Sequence, residues 1–512
     1  MGLEDWLDLQ LNLPLGPSLL DEVIAYHDYR RNGLGDPNAG TSYIFFDYAW
    51  WQYHMTQPDF LRQRIAFALS EILVISNNSG FGGQPYAFAD YYDILLRNAF
   101  GNYRDLLQEV TYHPTMGVYL TYMNNPKTDT IENRFPDENY AREVMQLFTI
   151  GLFELNPDGT RILDGNGVPV PTYDNVDISE FSKIFTGLMW GDRALEINQF
   201  FRGQDERESF TVPMHMLNEM HEPGQKTLLN GVVTPDRNPI DGDADINDAL
   251  DNLFNHQNVG PFIGKLLIQR LVTSNPSPGY VERVGQAFDD NGSGVRGDMK
   301  AVIRAILLDP EARDCQAVTD EQFGKLREPF IRYVQLNNAF DLSTNSGNYR
   351  NAMYHVDESL DQLVFYSPSV FNFFQPDHQP IGDIADADLV APEFQLVNSQ
   401  TIVSYLNGLN QWIVRDDPTD EWTLYSGETV PDNERAFFQL SDEVAMASDP
   451  YLHQLLDRLN LILAHGRLTE ESINVIIETL KHFDQDDEED LERRVRIAIA
   501  LVMSAPEYLI NR

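Results

Sequence analysis

Apolar side chains in this 512-residue chain return at the spacing of an α-helix in one segment after another, and that period limits the fold more than any other feature. From Phe60 to Ser76, the residues Leu61, Ile65, Ala68, Leu69, Ile72 and Ile75 share a stripe, with Pro58-Asp59 as the start signal. Residues 91–100 and 103–112 form a helical pair split by Gly101, and helices are expected over 246–254, 261–272, 279–288, 297–308 and 320–340. Four more follow over 393–409, 451–463, 469–483 and 490–501; Gly466 stops one helix and Thr469 caps the next. Two places change to strand-and-turn chemistry. Pro157-Asp158-Gly159 and Gly165-Asn166-Gly167 bracket a short extended run, and Asn230-Gly231 sits between apolar pairs. The expectation is a mainly α fold: one large multi-helix body over 1–512, with short β-hairpins at 152–174 and 226–234.

One helix carries the densest chemistry. Over Asp137-Glu138-Asn139-Tyr140-Ala141-Arg142-Glu143-Val144-Met145-Gln146-Leu147-Phe148-Thr149-Ile150-Gly151, a step of about 100° per residue gathers Glu138, Asn139, Arg142, Glu143 and Gln146 into one arc. Tyr140, Ala141, Val144, Met145, Leu147 and Phe148 fill the opposite arc. The polar arc has two readings. It is a solvent face with a Glu138–Arg142 pair, worth a few tenths of a kcal/mol, or a cleft wall in which Arg142 orients Glu143 or a bound anion and a carboxylate serves as base or ligand.

Other candidates lie in other helices and turns. Arg64 and Glu71 are seven residues apart on one face, which favours a buried structural pair, with support of a site as the alternative. His113 precedes Pro114 at a helix end, as a capping residue or a ligand. His221 and Lys226 flank Glu222-Pro223-Gly224-Gln225, a type II turn pattern that either brings them together around an anionic group or leaves Lys226 paired with nearby carboxylates. The catalytic candidates are therefore Glu138, Arg142, Glu143, His221 and Lys226. The metal candidates are His113, Glu138, Glu143 and His221, with Arg64, Glu71 and Asn139 in support. With oxygen and imidazole donors, a bound metal would be one divalent ion such as zinc, iron, manganese or calcium.

Charge narrows the partners. The net charge is −43, and only seven residues are lysine. An acidic, arginine-biased surface suits saline water and repels nucleic-acid phosphates, so no nucleic-acid partner is expected. No apolar run reaches the length of a membrane span. A single cysteine, Cys315, excludes an internal disulfide. Asp289 to Gly294 resembles a calcium loop, but Lys300 stands where a bidentate Glu is required; Asp298 reads as a helix cap instead. The aromatics between Tyr43 and Tyr53 read as helix core or, with Phe371 to Phe374, as a sugar-stacking surface.

The 137–151 stretch resembles the Asn-Glu-Asn-(Tyr/Phe)-Ala-Arg-Glu-Leu signature of the bacterial family called "domain of unknown function 1800". The likeness extends through Leu61 to Glu71, Asn98 to Tyr103, His113-Pro114, Phe185-Thr186-Gly187, His221 to Leu229 and Ser367 to Phe374, in the family's order. One branch of the family has histidines in the Leu61–Glu71 helix; this chain has Leu69 and Glu71, so a metal site built on those histidines does not carry over. The resemblance implies an exported protein, periplasmic or extracellular, whose start here is trimmed of a signal peptide. It also implies a sulfatase-like partner protein. A hydrolytic or metal-assisted enzyme with a Glu/Arg/His cleft is the alternative function, and a glycan-binding module a second.

Overall fold

In the computed structural model, residues 2–33, 40–79, 84–201, 207–315, 320, 322–351, 354–417, 431–449, 451–484 and 487–512 are described. Among the described residues there are 24 α-helices, the chain is 55% helical, and regular sheet is confined to two short antiparallel pairs. The fold is mainly α, with short hairpins.

Burial explains why these helices associate. One cluster of buried apolar side chains extends from Leu7 to Tyr508, so the stripes of early and late helices face a common interior. The helix Ile44–Thr56 lies deep within it, with Phe45, Phe46, Tyr48, Trp50, Trp51 and Tyr53 all buried. Trp50 packs against Phe330 and Trp51 stacks on Tyr333. These rings are core, and their faces are not open to a sugar. Of the loop aromatics, Phe371 is exposed and Phe374 buried.

The helix Phe60–Ser70 packs against Pro85–Asn98 and Val259–Leu271. It is buried from Leu61 to Ser70 except at Arg64, so its one opening lies where a cation sits. It also stops earlier than its apolar stripe. Glu71 caps the end, and Arg270 donates to the Glu71 carbonyl at 3.0 Å, taking up a backbone acceptor that the next turn would have used. Ile72 and Ile75 are buried beyond the helix.

The expected hairpins exist as bridged loops. Phe153 bridges Pro171, Leu155 bridges Arg161, and Leu163 bridges Pro169. Thr227 bridges Val233 across a turn in which Asn230 and Gly231 have φ of 59° and 71°, the left-handed pair that an Asn-Gly hairpin needs. The strands proper lie elsewhere: Leu188–Met189 pairs with His215–Met216, and Lys325–Leu326 pairs with Ile510–Asn511. The second pair corrects the helix expected over 320–340. There Lys325–Leu326 is a strand, and the helix is Pro329–Ala339, with proline in its first turn. Residues near the C-terminus are thereby paired with a strand from the middle of the sequence.

Candidate functional site

The signature helix spans Asn139–Gln146, with Tyr140, Ala141, Val144 and Met145 buried. Glu138 and Arg142 pair at 3.5 Å with both side chains more than 40% exposed, where such a pair is worth less than about 1 kcal/mol. Asn139 is exposed and donates to Thr121 Oγ1 at 2.8 Å. Glu143 alone turns inward. It is buried, its Oε2 has no hydrogen-bond partner, and desolvation pushes its pKa up to about 7 against the pull of Arg142.

His221 and Lys226 do meet, as the turn between them predicts, but they close on a carboxylate. Lys226 Nζ lies 2.5 Å from Asp245 Oδ2, 2.5 Å from the Glu222 carbonyl and 3.1 Å from His221 Nε2. His221 Nδ1 is 2.9 Å from the Thr186 carbonyl, and its Nε2 is 3.1 Å from Asp245 Oδ2. Arg237 pairs with the other oxygen of Asp245. Burial would raise the Asp245 pKa, but the bonds from His221 and Lys226 outweigh it and hold the carboxyl low. All three central side chains are at most 4% exposed. This cluster ties the 226–234 hairpin to the helix Gly242–Phe254.

His113 caps the helix Pro114–Tyr119 through Nδ1 and reaches Asp90 Oδ2 through Nε2 at 3.1 Å. Neither His113 nor the His221 cluster makes a hydrogen bond or ion pair with Glu138, Arg142 or Glu143 among the described residues. Among the described residues, no three His, Cys, Asp or Glu side chains are grouped to hold a metal, and no hydrogen bond or ion pair joins any two of His113, Glu138, Glu143 and His221. Helical period placed each residue on its own face, and the faces point to different neighbours.

The supporting pair leads to a different centre. Arg64 and Glu71 do not pair with each other. Arg64 reaches Glu328 at 3.3 Å and the Arg270 carbonyl at 2.5 Å, and Glu71 faces Arg270 at 3.4 Å. Gln362 Nε2 bridges the two carboxyls, 3.3 Å from Glu71 and 3.0 Å from Glu328. Lys325 joins from the short strand, 2.8 Å from Glu393, 3.3 Å from Glu328 and 2.7 Å from the Arg270 carbonyl. Ionisation is divided unequally. Burial and the neighbouring Glu328 raise Glu71 well above the usual carboxyl range. Burial acts on Glu328 as well, but Lys325, Arg64 and the bond from Gln362 reverse its effect and hold Glu328 ionised. Burial also raises Glu393, against Lys325. The two carboxyls are pushed in opposite directions, the asymmetry that acid/base sites use.

Arg64, Arg270, Lys325 and Glu328 line a cavity of about 550 Å³, a volume typical of small-molecule sites. Trp50, Phe67 and Phe330 form an apolar wall, and Arg327 and His465 stand opposite. Arg327 has no carboxylate partner among the described residues. It hydrogen-bonds to Gln335, lies 3.5 Å from His465 Nε2 and stacks over Tyr508 at 4.3 Å. Burial, with Arg327 and Arg467 nearby, pushes the His465 pKa down, so its ring is neutral. Buried Arg64 Nη1 also lacks a hydrogen-bond partner.

Sequence reasoning reached Arg64 and Glu71 but missed Arg270, Lys325, Arg327, Glu328, Glu393 and His465. One signal was present: in a chain with seven lysines, Lys325 stands in Lys-Leu-Arg-Glu just before Pro329, a charged run that is buried where a helix start would leave it in water.

No curated protein and no solved structure matches the chain. The family model described as "Protein of unknown function (DUF1800)" matches residues 1–510, the same family that the signature helix and its ordered companions resemble, and the chain belongs to that family.

Proposed function

We propose that this protein binds an anionic group, such as a sulfate, phosphate or carboxylate on a small molecule or chain end, in the cavity above Glu328. One observation carries this reading: Arg64, Arg270, Lys325 and Arg327 converge there against a single lining carboxylate, in a chain whose net charge is −43. Arginine forks suit oxyanions, and the aromatic wall would seat the apolar part of the ligand. An exported protein working with a sulfatase-like partner, which the family resemblance implies, would handle such anions, because the esters that partner acts on are anionic. No described helix is long and apolar enough to cross a membrane, and the reading requires none. Calorimetric titration with inorganic sulfate and phosphate tests it. Saturable binding of one anion per chain, weakened about tenfold or more in Arg327→Gln and in Arg64→Gln, is expected. Neither anion binding at millimolar concentration, or both variants binding as the parent does, overturns it.

A second reading, hydrolysis, draws on Glu71 as a protonated acid beside ionised Glu328. Turnover of an aryl sulfate or aryl phosphate that Glu328→Gln abolishes, while sulfate still binds, supports it. Binding without turnover leaves a recognition protein.

A further inference from the structure

A second pocket, of about 340 Å³, lies on the other side of the Lys325–Leu326 strand. Leu360, Phe394, Leu396, Leu406, Leu509 and Ile510 make its wall almost wholly apolar. One charged side chain breaks that wall. Arg332, on the helix Pro329–Ala339, lines the pocket although it is only 6% exposed. Its Nε is engaged by the Arg327 carbonyl at 2.8 Å. Beyond that, its guanidinium has the Tyr405 ring at 4.9 Å and the Tyr405 hydroxyl, which is itself bound to the Met503 carbonyl at 3.0 Å. No carboxylate pairs with Arg332 among the described residues, although 79 of the chain's residues are Asp or Glu. A buried cation without an anion is expensive, and burial accordingly pulls the Arg332 pKa below its ordinary value, with Tyr405 and Tyr508 acting in the other direction. At the pocket's mouth, Ile402 and Leu406 are about half exposed on the helix Ser399–Leu409, and Val403 beside them is 57% exposed.

We infer that this pocket is a binding site for an aliphatic monocarboxylate, with the hydrocarbon tail among the leucines and the carboxylate on the Arg332 guanidinium. Charge complementarity selects that occupant. A neutral hydrocarbon would leave the guanidinium unpaired, and a compact inorganic anion would leave the apolar wall empty. A planar carboxylate offers two oxygens to the Arg332 fork. At roughly 30 Å³ for each water-sized group, the volume suits a ligand of about ten non-hydrogen atoms, such as octanoate. The inference does not depend on the cationic cavity, whose lining side chains are different, although both pockets are built on the 325–332 and 509–511 segments.

The test uses the full chain, titrated with octanoate, octan-1-ol and acetate. Octanoate is expected to bind once per chain, at least about tenfold tighter than either of the others. Arg332→Gln reduces octanoate to the level of octanol, and Ile402→Trp, which fills the mouth from an exposed position, weakens octanoate by at least about tenfold and leaves sulfate binding unaltered. If Arg332→Gln fails to fold, the Ile402→Trp titration and the comparison of octanoate with octanol decide. Equal affinity for octanol, no octanoate binding up to its solubility, or an Ile402→Trp protein that binds octanoate as the parent does overturns the inference.

Discussion

Glu143 is the one member of the signature helix's polar arc that the fold encloses, and its carboxyl is raised to about 7 by burial. The sign of the linkage follows. The unfolded carboxyl ionises near 4.5 while the folded one holds its proton, so stability falls as pH climbs through that interval and the loss levels off above about 7. Glu143→Gln therefore stabilises the protein at pH 8 and has no effect near pH 4, read by melts across pH. Asp47 gives the same sign. Both its carboxyl oxygens are buried without partners, and burial, reinforced by Asp357, lifts its pKa far above 3.8. Relative to Asp47→Asn, the parent should lose up to about 1.4 kcal/mol per pH unit above pH 4. Parallel stability curves for Asp47→Asn and the parent would show that Asp47 ionises freely in the folded state.

Elements were legible where their signals are local. The period of 3.6 placed the helices, Asn230-Gly231 placed its hairpin, and Asp298 caps the helix Met299–Leu308 as the failed calcium loop implied. The errors came from partners distant in sequence. Nothing near Lys325 announces that Ile510–Asn511 will pair with it, and no spacing rule joins Arg64 to Glu328 or Glu71 to Arg270. A helical wheel shows which residues share a face, but it is silent on what that face meets. For this reason the cationic cavity, assembled from six separated segments, was visible only through Arg64 and Glu71. The strand pair is also where the site is most vulnerable. Arg327 donates its backbone N–H to the Leu509 carbonyl at 2.7 Å, and Arg467 holds the Ile510 carbonyl at 2.6 Å. Deleting residues 510–512 is expected to cost about 1–3 kcal/mol, the order of two or three hydrogen bonds. It should weaken sulfate binding more than any loss of folded protein explains, because the strand that carries Lys325 loses its partner. A truncated chain with parental stability and parental affinity would mean that the short strand pair holds nothing in place.

At the scale of the molecule, 79 acidic residues against 36 basic ones repel one another across the surface, and several of the cations are drawn inward to line one cavity. Two effects of salt must then be separated. Screening relieves the self-repulsion, so the melting temperature rises with any salt as the Debye length falls from about 30 Å at 0.01 M to about 10 Å at 0.1 M. Occupancy of the cavity adds a term for sulfate alone, about 2.7 kcal/mol once its concentration is a hundred times Kd. Sulfate also strengthens burial generally by exclusion from protein surfaces, so comparing it with chloride at matched ionic strength is insufficient. Arg327→Gln supplies the missing control, because screening and exclusion act on it as they act on the parent. The parent should gain more from sulfate than from chloride at low millimolar concentration, and the variant should respond to the two alike until exclusion sets in at far higher concentration. If parent and variant respond identically throughout, the salt effect is surface electrostatics and the cavity's cations serve the fold alone.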